Sequence, residues 1–470
     1  MDAAAAKRWG RLLAPVIFAT AIWLNQGVPR ARFLAMLETI KSAPSEHVAL
    51  AAWYPFAFLY HRAIDEQMYF EISGAMLGRE TDRAFMHEVR GDVPPPFDRP
   101  LPPADGKFHA PYTEVPLEYP PAAVPLILLP RLFTDSFPVY AKLFGALMAA
   151  FLVGAFALIF AALRAAGEPE EALSKRAWLA ALLCVLEGSL VIQRLDAVAA
   201  FFLALAFYAA VKRNPLLLGF AGGAAFAVKF VPALLLPVLL AADPAPWKEL
   251  RNWAKAAATA IVAVALLLGP IALAPGAFSA MLAYHGARGL QIETSFATIL
   301  GVLRLLGGGL LGGGQSFGSS NLSDPTALLL AKACTPLTLL AIAGVAHFAF
   351  YTAKREAATE TPLARTERMA RALFSATVLL WLASKVLSPQ YFTWGLPLVL
   401  ALPFAAGKKP FWTFAGALLV TQIYMRAYYE SVANQEPIGI VTMVLRQGLL
   451  AAAAAITLWP LVRPLPKPLT

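Results

Sequence analysis

Apolar residues fill long uninterrupted stretches from one end of this chain to the other, and short basic clusters separate them. A helix needs about 20 apolar residues to cross the hydrocarbon core of a bilayer, because every backbone polar group there must be satisfied within the segment. Lys7, Arg8 and Arg11 precede the first stretch, Leu12–Leu24, which lacks a small-residue cleavage pattern and reads as a retained membrane helix. Further spans fall at Pro138–Leu163, Ala177–Ile192, Ala197–Val211, Trp253–Leu273, Ala327–Tyr351, Ala372–Leu387, Phe392–Ala406, Phe411–Met425 and Ile438–Leu461. Tyr119–Phe133 is broken by prolines and reads as a further or re-entrant segment. Leu216–Ala242 carries Lys229, Pro232 and Pro237 and reads as a pair of short helices. The pattern predicts an all-α polytopic membrane protein with roughly 10–13 crossings.

Five regions follow. Residues 1–25 form a first transmembrane helix, and 26–119 an extracytoplasmic loop whose pieces Phe33–Ile40 and His47–His61 have the amphipathic pattern of interfacial helices. Residues 120–273 make a transmembrane bundle, 274–326 a second extracytoplasmic loop, and 327–470 a C-terminal transmembrane bundle. Glycines between Gly307 and Gly318 read as a flexible external linker, since no Gly-Lys-Ser/Thr follows to make a phosphate loop. No internal repeat is evident.

Composition narrows the class. With 59% hydrophobic and 14% charged residues and a mean hydropathy of +0.61, the chain is not a soluble, disordered or disulfide-framework protein. The net charge of +10 would otherwise invite a nucleic-acid partner. In a membrane protein such surplus collects in cytoplasmic loops, and here it does so at Lys175/Arg176, Lys212/Arg213, Lys354/Arg355 and Lys408/Lys409. Residues 26–119 hold nine Lys and Arg against thirteen Asp and Glu, 9 − 13 = −4, which places that loop outside the cytoplasm and both termini inside. Cys184 and Cys334 both lie in apolar segments, and neither a metal motif nor a nucleotide fingerprint is present. No cofactor is therefore expected.

Ionisable groups at membrane depth are costly and point to function. On this topology they gather at the external face: Asp65 and Glu66, Glu118 and Tyr119, Arg194 and Asp196, the loop Tyr284–Ser295, and Lys385-Val-Leu-Ser-Pro-Gln-Tyr391. His285, Arg288, Gln291 and Glu293 combine an imidazole, a forked cation, an amide and a carboxylate, a set suited to phosphate and sugar recognition. The plainer alternative is an Arg288–Glu293 pair within the loop. Lys385 precedes the break at Ser388-Pro389-Gln390-Tyr391, whereas Lys229 can equally pair with Asp196 or Glu187. Arg446, Glu187 and His347 read as internal packing groups.

Four of these elements, taken in order, carry a resemblance: Asp65 followed by Tyr69 and Gly78, Glu118-Tyr-Pro-Pro121, Tyr284-His-x-x-Arg-Gly-Leu-Gln-x-Glu293, and Lys385-x-x-Ser-Pro-Gln-Tyr391. The chain resembles the GT-C polytopic glycosyltransferases, and most closely glycosyltransferase family 87, the bacterial polyprenyl-phosphate-mannose-dependent α-mannosyltransferases. The likeness implies an inverting enzyme of the bacterial plasma membrane. It would move a sugar, mannose by analogy, from a polyprenyl-phosphate donor to a glycan or glycolipid acceptor at the external face. It further implies Asp65 as general base, with Glu66 as the alternative, and His285, Arg288 and Lys385 on the donor phosphate. Glu118, Tyr119, Gln291, Glu293, Gln390 and Tyr391 would bind or orient the sugars, with Arg194, Asp196 and Lys229 in support. The rival from another class is a transporter or flippase of a lipid-linked sugar, which needs a similar cationic cavity open alternately to both sides.

Overall fold

A computed structural model of the chain describes residues 3–25, 64–91, 93, 95–307, 312–357, 360–404 and 408–463. The two amphipathic pieces expected at Phe33–Ile40 and His47–His61 lie outside these residues. The described chain is almost entirely helical: α1 (Ala3–Asn25), α2 (Ile64–Met76), α3 (Arg83–Arg90), α4 (Val124–Arg131), α5 (Phe137–Ala165), α6 (Glu170–Glu187), α7 (Asp196–Val211), α8 (Pro215–Lys229), α9 (Leu236–Ala242), α10 (Leu250–Leu267), α11 (Ala277–Ala287), α12 (Ser295–Leu305), α13 (Pro325–Glu356), α14 (Pro362–Ala383), α15 (Phe392–Leu400), α16 (Lys409–Ile423) and α17 (Pro437–Val462). Among the described residues, α5, α10, α13 and α17 are long and apolar enough to cross a membrane. The protein is an all-α polytopic membrane protein.

The differences from expectation lie where prolines and glycines interrupt apolar runs. Phe392–Ala406 holds only the nine-residue α15 among its described residues. Tyr119–Phe133 becomes a 3₁₀ turn, Pro121–Ala123, and the short α4, because Pro120 and Pro121 fix extended and turn geometry before a helix can start. Leu216–Ala242 splits into α8 and a 3₁₀ turn leading into α9, with the break just after Lys229, as the paired-helix reading anticipates. The glycine-rich stretch is a correction. Instead of a linker, its described part forms β2 (Gly313–Ser316) and β3 (Ser319–Leu322), and β3 pairs antiparallel with β1 (Leu290–Gln291) in a sheet of order β1-β3-β2.

Three packings position the site. First, α8 lies against α10 with almost no spacing: an added Cβ at Gly219 would strike the Ala256 carbonyl and Thr259, and Gly223 faces Ala260 in the same way. Gly219-x-x-x-Gly223 is thus a small-residue seam of the kind that lets two helix backbones touch, and Thr259 Oγ1 donates across it to the Leu216 carbonyl at 2.8 Å. Second, α2 is buried from Glu66 to Met76. Its Phe70 ring lies 4.1 Å under the Arg131 guanidinium, while Asp82 N–H donates to Glu71 Oε2 at 2.8 Å. Third, α6 stops at Gly188, whose φ of +71° suits glycine. The chain then turns through Leu190–Gln193 to present Arg194 and Asp196 at the start of α7.

Candidate active site

The residues singled out in the sequence come from α2, the α6–α7 turn, the end of α8, the α11–β1 loop and the α14–α15 break, and the fold brings most of them to one end of the bundle. Asp65, in the first turn of α2, forms an ion pair through Oδ2 with Arg194. Asp65 keeps 13% of its side chain exposed, whereas its neighbour Glu66 is 3% exposed and hydrogen-bonds the Gln193 side chain. Burial pushes the Glu66 carboxyl up to about 8, against a smaller opposing effect of that hydrogen bond. Arg194 also lies within electrostatic reach of Asp196, Glu293 and Tyr391.

Asp196 is fully engaged. Its Oδ1 accepts from Lys229 Nζ at 2.7 Å and from Trp394 Nε1 at 2.7 Å. Lys229 Nζ in turn sits 4.6 Å from the centre of the Tyr391 ring, which stacks on Trp394 at 5.0 Å. Of the two readings open for Lys229, the structure has the pair with Asp196. Tyr69 and Tyr119 meet edge to face, hydroxyl to hydroxyl at 3.4 Å, and the Glu118 carboxylate lies near both rings.

The α11–β1 loop and the α14–α15 break are stitched together. Lys385 Nζ donates to the carbonyls of Gly286 and Arg288 at 2.8 and 2.9 Å. Gln291 N–H donates to the Lys385 carbonyl at 3.0 Å, and Gln291 Oε1 accepts from Leu387 N–H at 2.9 Å. Its Nε2 donates to Glu293 Oε2 at 2.7 Å and to Ser388 Oγ at 3.1 Å. Glu293 does not pair with Arg288. It accepts a hydrogen bond from Tyr424, and its backbone carbonyl accepts from Arg446 and from Gln447 at 2.8 Å. Burial raises the Glu293 carboxyl pKa, and Arg446 lowers it in part. Arg288 Nη2 donates to Ser319 Oγ at 2.8 Å, and its buried Nε has no hydrogen-bond partner among the described residues. Gln390 is half-buried in the turn Pro389–Tyr391.

His285 hydrogen-bonds the Glu118 backbone and feels Arg288, Lys229 and Lys385. The residue is exposed, with its ring partly desolvated by the surrounding loop. That desolvation first, and the Arg288 charge second, lower its pKa to about 4, so the imidazole is neutral at pH 7.

Trp394, Tyr424 and Gln193 escaped the sequence reading. Trp394 is three residues beyond Tyr391 and had a signal in that spacing; the other two are ordinary residues of apolar runs until the fold brings their partners in. Arg446, read as an internal packing group, is fully buried and bonds Tyr424 Oη at 3.0 Å. Cys184 and Cys334 are both free and buried. Among the described residues no group of three His, Cys, Asp or Glu side chains gathers that could hold a metal ion.

Beside this polar end lies an apolar cavity of about 580 Å³ between α10 and α11, walled by Val264, Leu268, Ile271 and Phe278. The Phe278 ring meets that of Phe230 at 6.0 Å, and Phe230 directly follows Lys229. Asp65 is thus joined through Arg194 to the polar cluster, and the apolar cavity meets the end of α8 through the Phe278–Phe230 contact.

A family model described as glycosyltransferase family 87 matches residues 117–381. No curated protein and no solved structure gives a significant match. The matched region holds Glu118, Arg194, Asp196, Lys229 and the whole His285–Glu293 loop; Lys385–Tyr391 follow just beyond it, and Asp65 lies before it.

Proposed function

The chain belongs to glycosyltransferase family 87, and from that premise we propose that it transfers mannose from a polyprenyl-phosphate donor to a glycan or glycolipid acceptor. The reaction takes place at the extracytoplasmic face of a bacterial plasma membrane, with both termini in the cytoplasm. That the chain is a glycosyltransferase follows from the family; the donor, the sugar and the side are our reading. The observation that carries it is the polar cluster that links Asp65, through Arg194, to Glu293 and the His285–Arg288 loop, with an apolar cavity beside Phe278 on the α10–α11 side. A lipid-linked sugar needs those three features together: a base, a seat for phosphate and a groove for the prenyl chain.

In this mechanism an Asp65 carboxylate oxygen takes the proton of an acceptor hydroxyl as that oxygen attacks the anomeric carbon. The bond from the anomeric carbon to the phosphate oxygen breaks, and its electron pair leaves with the polyprenyl phosphate. In-line attack inverts a β-linked donor to an α-glycoside. Asp65 suits the base role better than Glu66, because Arg194 favours its ionised form while Glu66, titrating at about 8, holds a proton at pH 7. Arg288 offers the donor phosphate the guanidinium N–H groups that Ser319 does not take, and neutral His285 turns its one N–H from the Glu118 backbone to the phosphate when the donor binds. Lys385 spends two N–H groups on the loop carbonyls and keeps a third for the phosphate. Gln291 and Glu293 act as positioning residues that lock the loop, and Lys229 and Asp196 hold Tyr391 and Trp394 as an aromatic wall for sugar. Glu118, Tyr119 and Gln390 line the acceptor side. This reading gives the phosphate charge to side chains and asks for no metal.

Purified protein in detergent, incubated with prenyl-phosphate [¹⁴C]mannose, prenyl-phosphate [¹⁴C]arabinofuranose or GDP-[¹⁴C]mannose and a membrane glycolipid extract, tests the donor. Label should pass to product from prenyl-phosphate mannose. Transfer from the nucleotide sugar alone overturns the reading.

A further inference from the structure

A cavity of about 960 Å³ opens at the far end of the bundle, away from the groups that carry the chemistry. α7 leads from Asp196 in the candidate site to Val211, whose carbonyl accepts from Arg365 Nη2 at 3.3 Å, and α14 leads from Arg365 back towards Lys385. The cavity is walled by the end of α9, the turn Ala245–Lys248, the end of α13 and the start of α14. Five cations, Arg213, Lys248, Lys354, Arg365 and Arg368, line it against two carboxylates, Asp243 and Glu360. Ala358 and Thr359, between α13 and α14 and outside the described residues, carry no charge and leave that balance as it is.

Both carboxylates are already engaged by arginines. Arg213 grips Asp243 with Nε at 2.8 Å and Nη2 at 3.1 Å, and Arg365 Nε stands 3.7 Å from the same carboxylate. Arg368 pairs with Glu360, lies 3.5 Å from Glu356 and donates from Nε to the Ala242 carbonyl at 3.0 Å. The two lysines are left over. Lys354 Nζ sits 4.5 Å from the centre of the Phe350 ring, and neither it nor Lys248 forms an ion pair among the described residues. Two exposed ammonium groups beside arginines that are already paired leave a net positive concavity, which favours an anion.

The surroundings specify the anion's class. Trp247 and Trp253 line the same cavity, with ring centres 5.1 Å apart and Trp253 Nε1 donating to the Trp247 carbonyl at 2.7 Å. Amphipathic indole rings of this kind sit at headgroup level in a bilayer. From Trp253 onward, α10 turns Ile261, Val262 and Leu266 outward, each more than half exposed, a face that belongs against acyl chains. A molecule with an anionic head and apolar chains satisfies both surfaces, whereas a dissolved anion satisfies only the first. We infer that this cavity binds the phosphodiester headgroup of an anionic phospholipid. Lys248 and Lys354 take the phosphate, Trp247 and Trp253 meet the glycerol, and the chains run along α10. The inference uses the membrane-spanning fold and not the transferase reading; on the topology proposed above, the lipid belongs to the cytoplasmic leaflet.

The test is binding, which needs no turnover. Purified full-length protein in neutral detergent is titrated with dioleoyl phosphatidylglycerol or dioleoyl phosphatidylcholine, and bound lipid is followed by native mass spectrometry. Phosphatidylglycerol should bind about tenfold tighter, less so at high salt, and equimolar glycerol 3-phosphate should not displace it. Lys248→Gln with Lys354→Gln should erase the preference and leave transferase turnover unchanged, while Lys248→Arg with Lys354→Arg should keep the preference. Equal affinities for the two lipids, displacement by glycerol 3-phosphate, or a preference unchanged in the folded Gln variant overturn the proposal. Phosphatidylglycerol held at the donor seat instead would give that last result. If the double Gln variant does not fold, Lys248→Gln alone, in the turn before α10, should weaken phosphatidylglycerol binding about fivefold, and an unchanged affinity overturns the proposal. Loss of the lipid preference with turnover intact leaves the transferase reading standing, and absent turnover with the preference intact leaves the lipid site standing.

Discussion

Gln291→Leu separates positioning from sugar binding at the centre of the site. The side chain is 3% exposed and makes three hydrogen bonds, to Leu387 N–H, Glu293 Oε2 and Ser388 Oγ. Leucine has similar bulk and none of the polar atoms. It strands the Leu387 N–H in a buried position, at about 1–3 kcal/mol, and removes the donor to a buried carboxylate, worth about 1.5–3 kcal/mol. The Ser388 contact adds about 1 kcal/mol, and burying an apolar group where an amide stood returns part of the total. The net loss is about 3–5 kcal/mol. Equilibrium unfolding in mixed detergent micelles measures it. Because Gln291 joins the His285 loop to the Lys385 break, turnover should fall with the unfolding midpoint, while donor KM changes little. A direct sugar contact would do the reverse, raising KM with the midpoint almost unmoved. A midpoint shift under about 0.5 kcal/mol would refute the stitching role.

Glu66 gives a pH signature. Its carboxyl titrates at about 8 in the folded protein against an ordinary 4.5, so between those values the folded state holds a proton that the unfolded state has released. Stability therefore falls as pH rises through that window; Glu66→Gln should flatten the slope of the unfolding midpoint between pH 5 and pH 8.5 and keep transferase activity. An unchanged slope contradicts the assignment. The α8–α10 seam predicts that Gly219→Val or Gly223→Val lowers the unfolding midpoint by about 1–3 kcal/mol or more through overpacking, and lowers turnover by displacing Lys229. Gly344→Ala, in α13 where an added Cβ meets nothing within 4 Å, should leave the midpoint unchanged or raise it slightly; equal losses at Gly219 and Gly344 would remove the seam from the account.

The helical, membrane-spanning class was legible because crossing a bilayer forces long apolar runs, and those runs survive in any tertiary context. Element ends were less so. Gly188 terminates a helix that hydropathy alone would continue, α14 stops at Ala383, four residues short of the apolar run's end at Leu387, and the glycine-rich stretch pairs with Leu290–Gln291 through backbone bonds that no side-chain pattern encodes. In the site, cations and acids isolated in apolar sequence were conspicuous, so Asp65, Arg194, Asp196, Lys229, His285 and Lys385 could be found before their contacts were seen. Their pairing could not. Which carboxylate meets Arg194, and whether Glu293 faces Arg288 or Tyr424, depends on how α2, α7 and α16 cross.

The central claim is that Asp65 removes the acceptor proton during transfer from a prenyl-phosphate sugar. Turnover of prenyl-phosphate mannose by Asp65→Asn, compared with the wild type in detergent, tests it most directly, with donor affinity measured on the same samples. The asparagine keeps the size and a hydrogen bond to Arg194 but cannot take the proton. The account predicts a fall in turnover of about 10²- to 10⁴-fold with donor affinity nearly unchanged. Undiminished turnover in a folded Asp65→Asn protein would contradict it.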